Sequence, residues 1–227
     1  YVGGGPGSDL YKSVDGGKHW EKANRGLPGS DKGRIGLAIS PANPEVLYAM
    51  VEAKNGGTYR STNRGASWEK RSSYYEAGLY YTEIFAHPHD PDILYSMATY
   101  NQWSTDGGKT WQPMGEDLKH VDNHALWIDP DNPNYYLAGC DGGIYESFDA
   151  AKTWVFKANL PITQFYKVAV DNDAPFYNVY GGTQDNFSLG GPSRTTDQHG
   201  IDNYQWFVTQ GGDGFESQVD PKNPNII

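Results

Sequence analysis

Cysteine is all but absent from this 227-residue chain: Cys140 stands alone, so no internal disulfide can form and cysteine usage says nothing about redox compartment. A lone cysteine among strand residues reads as a small apolar side chain rather than a nucleophile. Methionine is scarce as well, with 3 residues, so the core must be built from aliphatics and from 17 Tyr, 8 Phe and 7 Trp. No apolar run approaches the roughly 20 residues of a membrane-spanning helix. Basic residues are in deficit: Lys and Arg number 18 against 28 Asp and Glu, and the formal net charge is −10. A phosphate backbone would be repelled over most of such a surface, which argues against a nucleic-acid partner. The opening Tyr-Val-Gly-Gly-Gly resembles neither an initiator segment nor a signal peptide, and it begins as if within a repeat. Helical periodicity is missing too. Short runs rich in Val, Ile, Tyr and Phe alternate instead with turns drawn from 28 Gly and 14 Pro, so the expected class is all-β.

What the chain does have is repetition. Ser104-Thr105-Asp106-Gly107-Gly108-Lys109-Thr110-Trp111 reads as a tight hairpin turn, with Asp106 accepting from turn N–H groups and the glycines permitting positive φ. The eight-residue pattern returns at Ser13, Asp15 and Trp20, at Ser61, Asn63 and Trp68, and at Ser147, Asp149 and Trp154. Each tryptophan is expected to be buried and to pin its turn to its sheet. The copies recur about every 45 residues, the period of a propeller blade.

A second element lies between them: Ser40-Pro41-Ala42-Asn43-Pro44, His87-Pro88-His89-Asp90-Pro91, Asp129-Pro130-Asp131-Asn132-Pro133, Asp171-Asn172-Asp173-Ala174-Pro175 and Asp220-Pro221-Lys222-Asn223-Pro224. Each stands between two apolar runs and marks a turn. One repeat is therefore four antiparallel strands, with the Pro/Asn turn joining the first two and the eight-residue box joining the last two. Read this way, residues 1–227 form one β-propeller segment, incomplete at both ends. Whole blades are expected at 33–71, 80–113, 122–157 and 164–209, and partial ones at 1–23 and 211–227. In the blade at 164–209 the box is degraded, although Trp206 keeps the tryptophan's place. The remaining blades would come from the same parent chain or from another subunit.

The repeated Ser-x-Asp-x-Gly-x-Thr-Trp pattern resembles the Asp box, or BNR repeat, of sialidases, xyloglucanases, sortilin-type receptors and a photosystem II assembly factor. The segments His120–Pro130, Asp141–Ser147, Gly181–Asn186 and Gly211–Phe215 are most similar to bacterial proteins with a sortilin N-terminal-type propeller, often labelled glycosyl hydrolases with BNR repeats. The resemblance implies a secreted, periplasmic or cell-surface propeller that binds a protein, peptide or glycan at its channel mouth. A glycoside hydrolase of the xyloglucanase type and a scaffold or assembly subunit are the alternatives. No cofactor and no metal is implied. A sialidase needs three arginines around its substrate, whereas Arg34, Arg60, Arg64, Arg71 and Arg194 fall mostly away from inner strands.

Strand order places boxes and Pro/Asn turns on one face and the other loops at the mouth of the channel, where ligands of propellers usually sit. The mouth is expected to hold Asp122, His124, Asp141, Gln164, Tyr166, Asp185, Asn186 and Asp213, with Glu83 on an inner strand. Asp122, Asp185, Asp213 and Glu83 are the candidate catalytic carboxylates, since glycoside hydrolysis uses two carboxyl groups roughly 5–10 Å apart. His120, Asp122 and His124 alternate as metal ligands on one strand face would; hydrogen bonding to loop backbone is the ordinary alternative. Tyr74, Tyr75, Tyr80, Tyr81, Tyr100 and Trp103 fall on neighbouring loops, either as a platform for sugar or peptide or as cover for the core. Of these, Tyr80, Tyr81 and Trp103 are the ligand-binding candidates.

Overall fold

The computed structural model describes residues 4–76, 81–158 and 165–227. It is all-β apart from one turn of 3-10 helix at Asn203–Gln205. A hairpin of β1 (Tyr11–Lys12) and β2 (Glu21–Lys22) comes first. Four antiparallel four-stranded sheets follow, each a propeller blade in chain order: β3 (Lys32–Ile39), β4 (Leu47–Ala53), β5 (Gly57–Ser61), β6 (Glu69–Ser72); then β7 (Glu83–Ala86), β8 (Leu94–Met97), β9 (Gln102–Ser104), β10 (Gln112–Pro113). The third comprises β11 (Asn123–Ile128), β12 (Tyr136–Cys140), β13 (Gly143–Ser147) and β14 (Val155–Phe156); the fourth comprises β15 (Phe165–Val170), β16 (Asn178–Thr183), β17 (Ser188–Pro192) and β18 (Phe207–Gln210). Two compact units contain them, Tyr1–Lys157 and Ala158–Ile227.

In the first unit, strand alternation sends successive side chains to opposite faces, so each blade contributes to two cores. Ala49 and Val51 of β4 pack with Leu10, Tyr59 and Trp68, while Tyr48 and Met50 pack with Ile84 and Leu94 of the next blade. Tyr95 and Met97 of β8 then join Leu126, Tyr136, Ala138 and Trp154 of the third.

The boxes share one geometry. Ser13, Ser104 and Ser147 each donate a hydroxyl to the box aspartate at 2.8–2.9 Å, and Ser61 does the same to Asn63. Each serine oxygen accepts the N–H of residue 17, 65, 108 or 151, and each aspartate or asparagine oxygen accepts a further N–H four residues on. Ala150 and Ala151 hold φ of 58° and 64°, where Gly107 and Gly108 stand in the neighbouring box. The turn also bonds to its own Pro/Asn turn: the Arg64, Gly107 and Ala150 N–H groups donate to the Glu45, Asp92 and Asn134 carbonyls.

These bonds move the box carboxyls. In Asp149 the Thr153 hydroxyl and N–H, and in Asp15 the His19 N–H and ring, hold the carboxyl down to about 2. Burial of Asp106 works the other way, but bonds from Thr110 and Ser104 outweigh it, again to about 2. A carboxyl held lower in the folded than in the unfolded chain contributes stability that is present above its ordinary value and lost as pH falls toward the folded one. Melting temperature is therefore expected to be level above about pH 4 and to fall between about pH 4 and 2. Asp106→Asn with Asp149→Asn should flatten that slope, because the threonine hydroxyl can turn to accept from the amide. An unchanged slope in thermal melts from pH 2 to 6 would refute the assignment.

The box tryptophan requires a correction. Where it is buried it does pack on its own sheet, Trp68 with Ala49, Val51 and Tyr59 and Trp154 with Tyr136, Ala138 and Tyr145, but it docks on the preceding element as well, and it is not buried in every copy. Trp68 Nε1 donates to the Ala23 carbonyl and Trp154 Nε1 to the Gly115 carbonyl, both rings being buried. Trp111 stacks on Tyr74 with centroids 4.7 Å apart, and Trp20 remains 61% exposed. Between Gly211 and Ile227 no strand forms. The Pro/Asn turn there closes all the same, with the Lys222 and Asn223 N–H groups on the Asp220 carboxylate.

Candidate functional site

The heads of β7 and β11 lie at the end of the first unit opposite the boxes. Asp122 has φ 60°, so it ends the extended alternation just before β11 begins. His120, Asp122 and His124 consequently do not line up along one strand face. The His120 ring lies over Gly142, with its Nδ1 2.8 Å from the Val121 carbonyl oxygen. Among the described residues no group of three or more His, Cys, Asp or Glu is placed to hold a metal ion.

Asp122 is fixed by its neighbours. Its N–H donates to the Thr99 carbonyl, its own carbonyl accepts the Asp141 N–H, and its carboxylate accepts the Tyr81 hydroxyl. The Tyr81 ring lies parallel to His124, 8° apart in plane and 5.9 Å between centroids, and His124 Nε2 is 3.0 Å from an Asp141 carboxylate oxygen. Tyr81, Asp122, His124 and Asp141 therefore form one cluster.

Beside it runs a groove of about 530 Å³ between β3 and β7, lined by Arg34, Leu37, Tyr81, Glu83 and Phe85 among others. Glycine is required on its floor: a Cβ at Gly36 would lie 1.9 Å from the Thr82 carbonyl oxygen. Thr82 itself is buried with φ 93°, a strained conformation for a β-branched residue, and its hydroxyl donates to the Glu76 carbonyl. The Arg34 guanidinium donates to the Tyr81 carbonyl, and the Arg34 N–H donates to the Glu52 carboxylate. The carboxylate of Glu83, a half-buried residue, takes no hydrogen bond from any described residue.

Behind the cluster lies a buried polar network that sequence reasoning missed. Lys119, whose side chain is fully buried, donates to the Glu116 carboxylate at 2.8 Å, to the His120 carbonyl and to the Asn123 side-chain oxygen. Glu116 also accepts the Asn101 N–H and the Asn123 side-chain amide. The ammonium sits 5.7 Å above the Trp154 ring and 5.9 Å above Tyr145. Nothing in the local sequence said that Glu116 and Lys119 would pair or that both would be buried.

The remaining candidates are dispersed. Trp103 lies within β9 and packs on the buried cluster of Tyr95 and Met97, while Tyr74 and Tyr75 cover the core around Met50. Tyr100 is exposed. Cys140 is half-buried in β12, its thiol donating to the Gly143 carbonyl, and burial pushes its pKa up. Tyr80 and Gln164 lie outside the described residues. Tyr166, Asp185, Asn186 and Asp213 belong to the second unit, where Asp213 accepts the Asp185 N–H at 2.9 Å.

The BNR/Asp-box repeat family matches residues 102–113. Xyloglucanase Xgh74A of Acetivibrio thermocellus is 28% identical over 177 residues, covering 65% of this chain and 21% of that protein. A xyloglucanase of a Paenibacillus species is 25% identical over 207 residues, covering 76% and 20%. Among solved structures, an ancestral GH74 enzyme superposes with a TM-score of 0.51 at 15% identity, covering 94% of this chain and 30% of that one. The GH74 xyloglucanase of Xanthomonas campestris gives 0.51 at 18% identity, covering 99% and 39%. The chain spans about a fifth of the length of the curated relatives it matches. It is a β-propeller segment related to glycoside hydrolases.

Proposed function

We propose that this chain belongs to a β-propeller that binds a neutral polysaccharide in the groove between β3 and β7, outside the cytoplasm in the secreted space or cell envelope. Glu83 carries the reading: a half-buried residue lining a groove of about 530 Å³, its carboxylate taking no hydrogen bond from any described residue. Such a group is an acceptor in waiting for sugar hydroxyls. Tyr81, Asp122, His124 and Asp141 stiffen the rim beside it, and a preorganised rim spares the ligand the cost of ordering it. The relatives whose names speak of xyloglucan make that polymer the first ligand to test.

Hydrolysis is the second reading, favoured because Glu83 and Tyr81 line one groove and the Tyr81 hydroxyl donates to the carboxylate of Asp122, which puts a second carboxyl group at the same rim. A hydrolase needs such a pair at roughly 5–10 Å. Peptide binding of the sortilin kind and a scaffolding role are the outcomes to be considered if no glycan binds.

The deciding experiment is calorimetry of the 227-residue chain with xyloglucan oligosaccharides, alongside an assay for reducing ends. Glu83→Gln should weaken binding by about 10- to 100-fold, since a hydrogen bond to a charged acceptor contributes about 1.5–3 kcal/mol. Wild-type affinity in that variant sinks the groove as the site. Turnover that disappears with Glu83→Gln and with Asp122→Asn would promote the hydrolytic reading.

A further inference from the structure

Two loops of the second unit, residues 184–187 after β16 and 211–215 after β18, are zipped edge to edge. The Phe187 N–H donates to the Gly212 carbonyl, the Gly214 N–H to the Thr183 carbonyl, and the Asp185 N–H to the Asp213 carboxylate. The approach is close enough to demand glycine: a Cβ at Gly182 would lie 2.3 Å from the Phe215 nitrogen, and one at Gly214 would lie 2.4 Å from the Phe187 carbonyl oxygen. The Thr183 hydroxyl lies within hydrogen-bond distance of the Asn186 and Phe187 carbonyls, which holds the first loop to its strand.

The zipped loops present aromatic rings to solvent. Phe187 is 46% exposed and Phe215 57%, with Tyr166 of β15 5.2 Å from Phe215 between centroids. Phe187 also has φ 71°, a conformation that suits glycine and that a bulky residue adopts only at a cost. A ring left about half in solvent on a disfavoured backbone contributes less to the stability of the fold than a buried one would.

We infer that these loops form a saccharide-stacking subsite, in which the Phe187 and Phe215 rings take the apolar faces of sugar units while the Asp185 and Asp213 loops accept from their hydroxyls. The acidic side chains argue for a neutral sugar rather than a phosphorylated or uronic one, in line with the chain's net charge of −10. Lys167 stands over Phe215 at 5.2 Å but is paired with Glu216 at 2.8 Å, so it adds no anion site. The subsite rests on the polysaccharide reading above for its ligand class, though it shares no residue with the groove.

Phe187→Gly is the informative variant, because it relieves the backbone while removing the ring. With xyloglucan oligosaccharides as the probe, it should weaken binding about 5- to 10-fold while leaving the melting temperature equal or higher. Phe215→Ala should weaken binding similarly. Full affinity in Phe187→Gly, or a lowered melting temperature, would overturn the subsite and make the ring architectural. Loss of affinity in Glu83→Gln with none in the phenylalanine variants would leave the groove standing and the subsite refuted. Absence of binding by the unmodified chain would remove both.

Discussion

Lys119→Ala is expected to lower stability by about 3–5 kcal/mol, measured by denaturant unfolding at neutral pH. The ammonium is fully buried, and removing it leaves the Glu116 carboxylate, itself largely buried, without its cationic partner. Its other donors, the Asn101 N–H and the Asn123 amide, are neutral and do not replace the charge. Most of the loss should come from that stranded charge rather than from the vanished methylenes. Lys119→Met with Glu116→Gln, which keeps volume and deletes both charges, should therefore recover much of the loss. A double variant as unstable as Lys119→Ala would show that the loss comes from the missing ion pair and its hydrogen bonds and not from a stranded charge. Near wild-type stability in Lys119→Ala would show that the pair contributes nothing.

Trp154→Ala should cost a similar 3–5 kcal/mol, the usual range for emptying a buried indole site. The ring fills the core between the second and third blades, donates to the Gly115 carbonyl and lies under the Lys119 ammonium. Trp20→Ala, at the same place in its own box, should change stability by less than about 1 kcal/mol, because that ring is 61% exposed and bonds only within its turn. Comparable losses in the two variants would mean that the tryptophan acts on its own turn after all. Lys119 and Trp154 touch, so their combined loss should fall short of the sum.

That contrast shows where the sequence stops being readable. The boxes and Pro/Asn turns are spelled locally, and the four-stranded blades follow from their spacing, so strand order and the end of each blade that carries each loop were legible. Whether a box tryptophan is buried depends on what lies one blade away, which the eight residues do not encode. Asp122 defeated the alternation rule for the same reason: Thr99, Asp141 and Tyr81, from three separate loops, hold it at φ 60°. Trp103 looked like a loop residue because it follows the polar run after β8, with five residues between them, yet its backbone pairs with Tyr95 and Gln112. The groove was illegible because it depends on Gly36 meeting Thr82 between two different blades, a contact with no local signature.

The box turn carries several bonds for one shape, and that surplus bears on how such motifs age. Asn63 stands where the others have aspartate, and its amide takes over from the lost charge by donating to Ser67. Ala150 and Ala151 stand where glycine is favoured, and the turn holds its left-handed backbone regardless. The serine and the tryptophan are common to all four copies, and of the groups that make the turn's hydrogen bonds only the serine is unchanged, its hydroxyl being both donor and acceptor. A lineage of such repeats can thus be misspelled one letter at a time without changing its form. Copies drift out of textual recognition well before they drift out of geometry, and a count of boxes made by spelling gives a lower bound on the blades a chain contains.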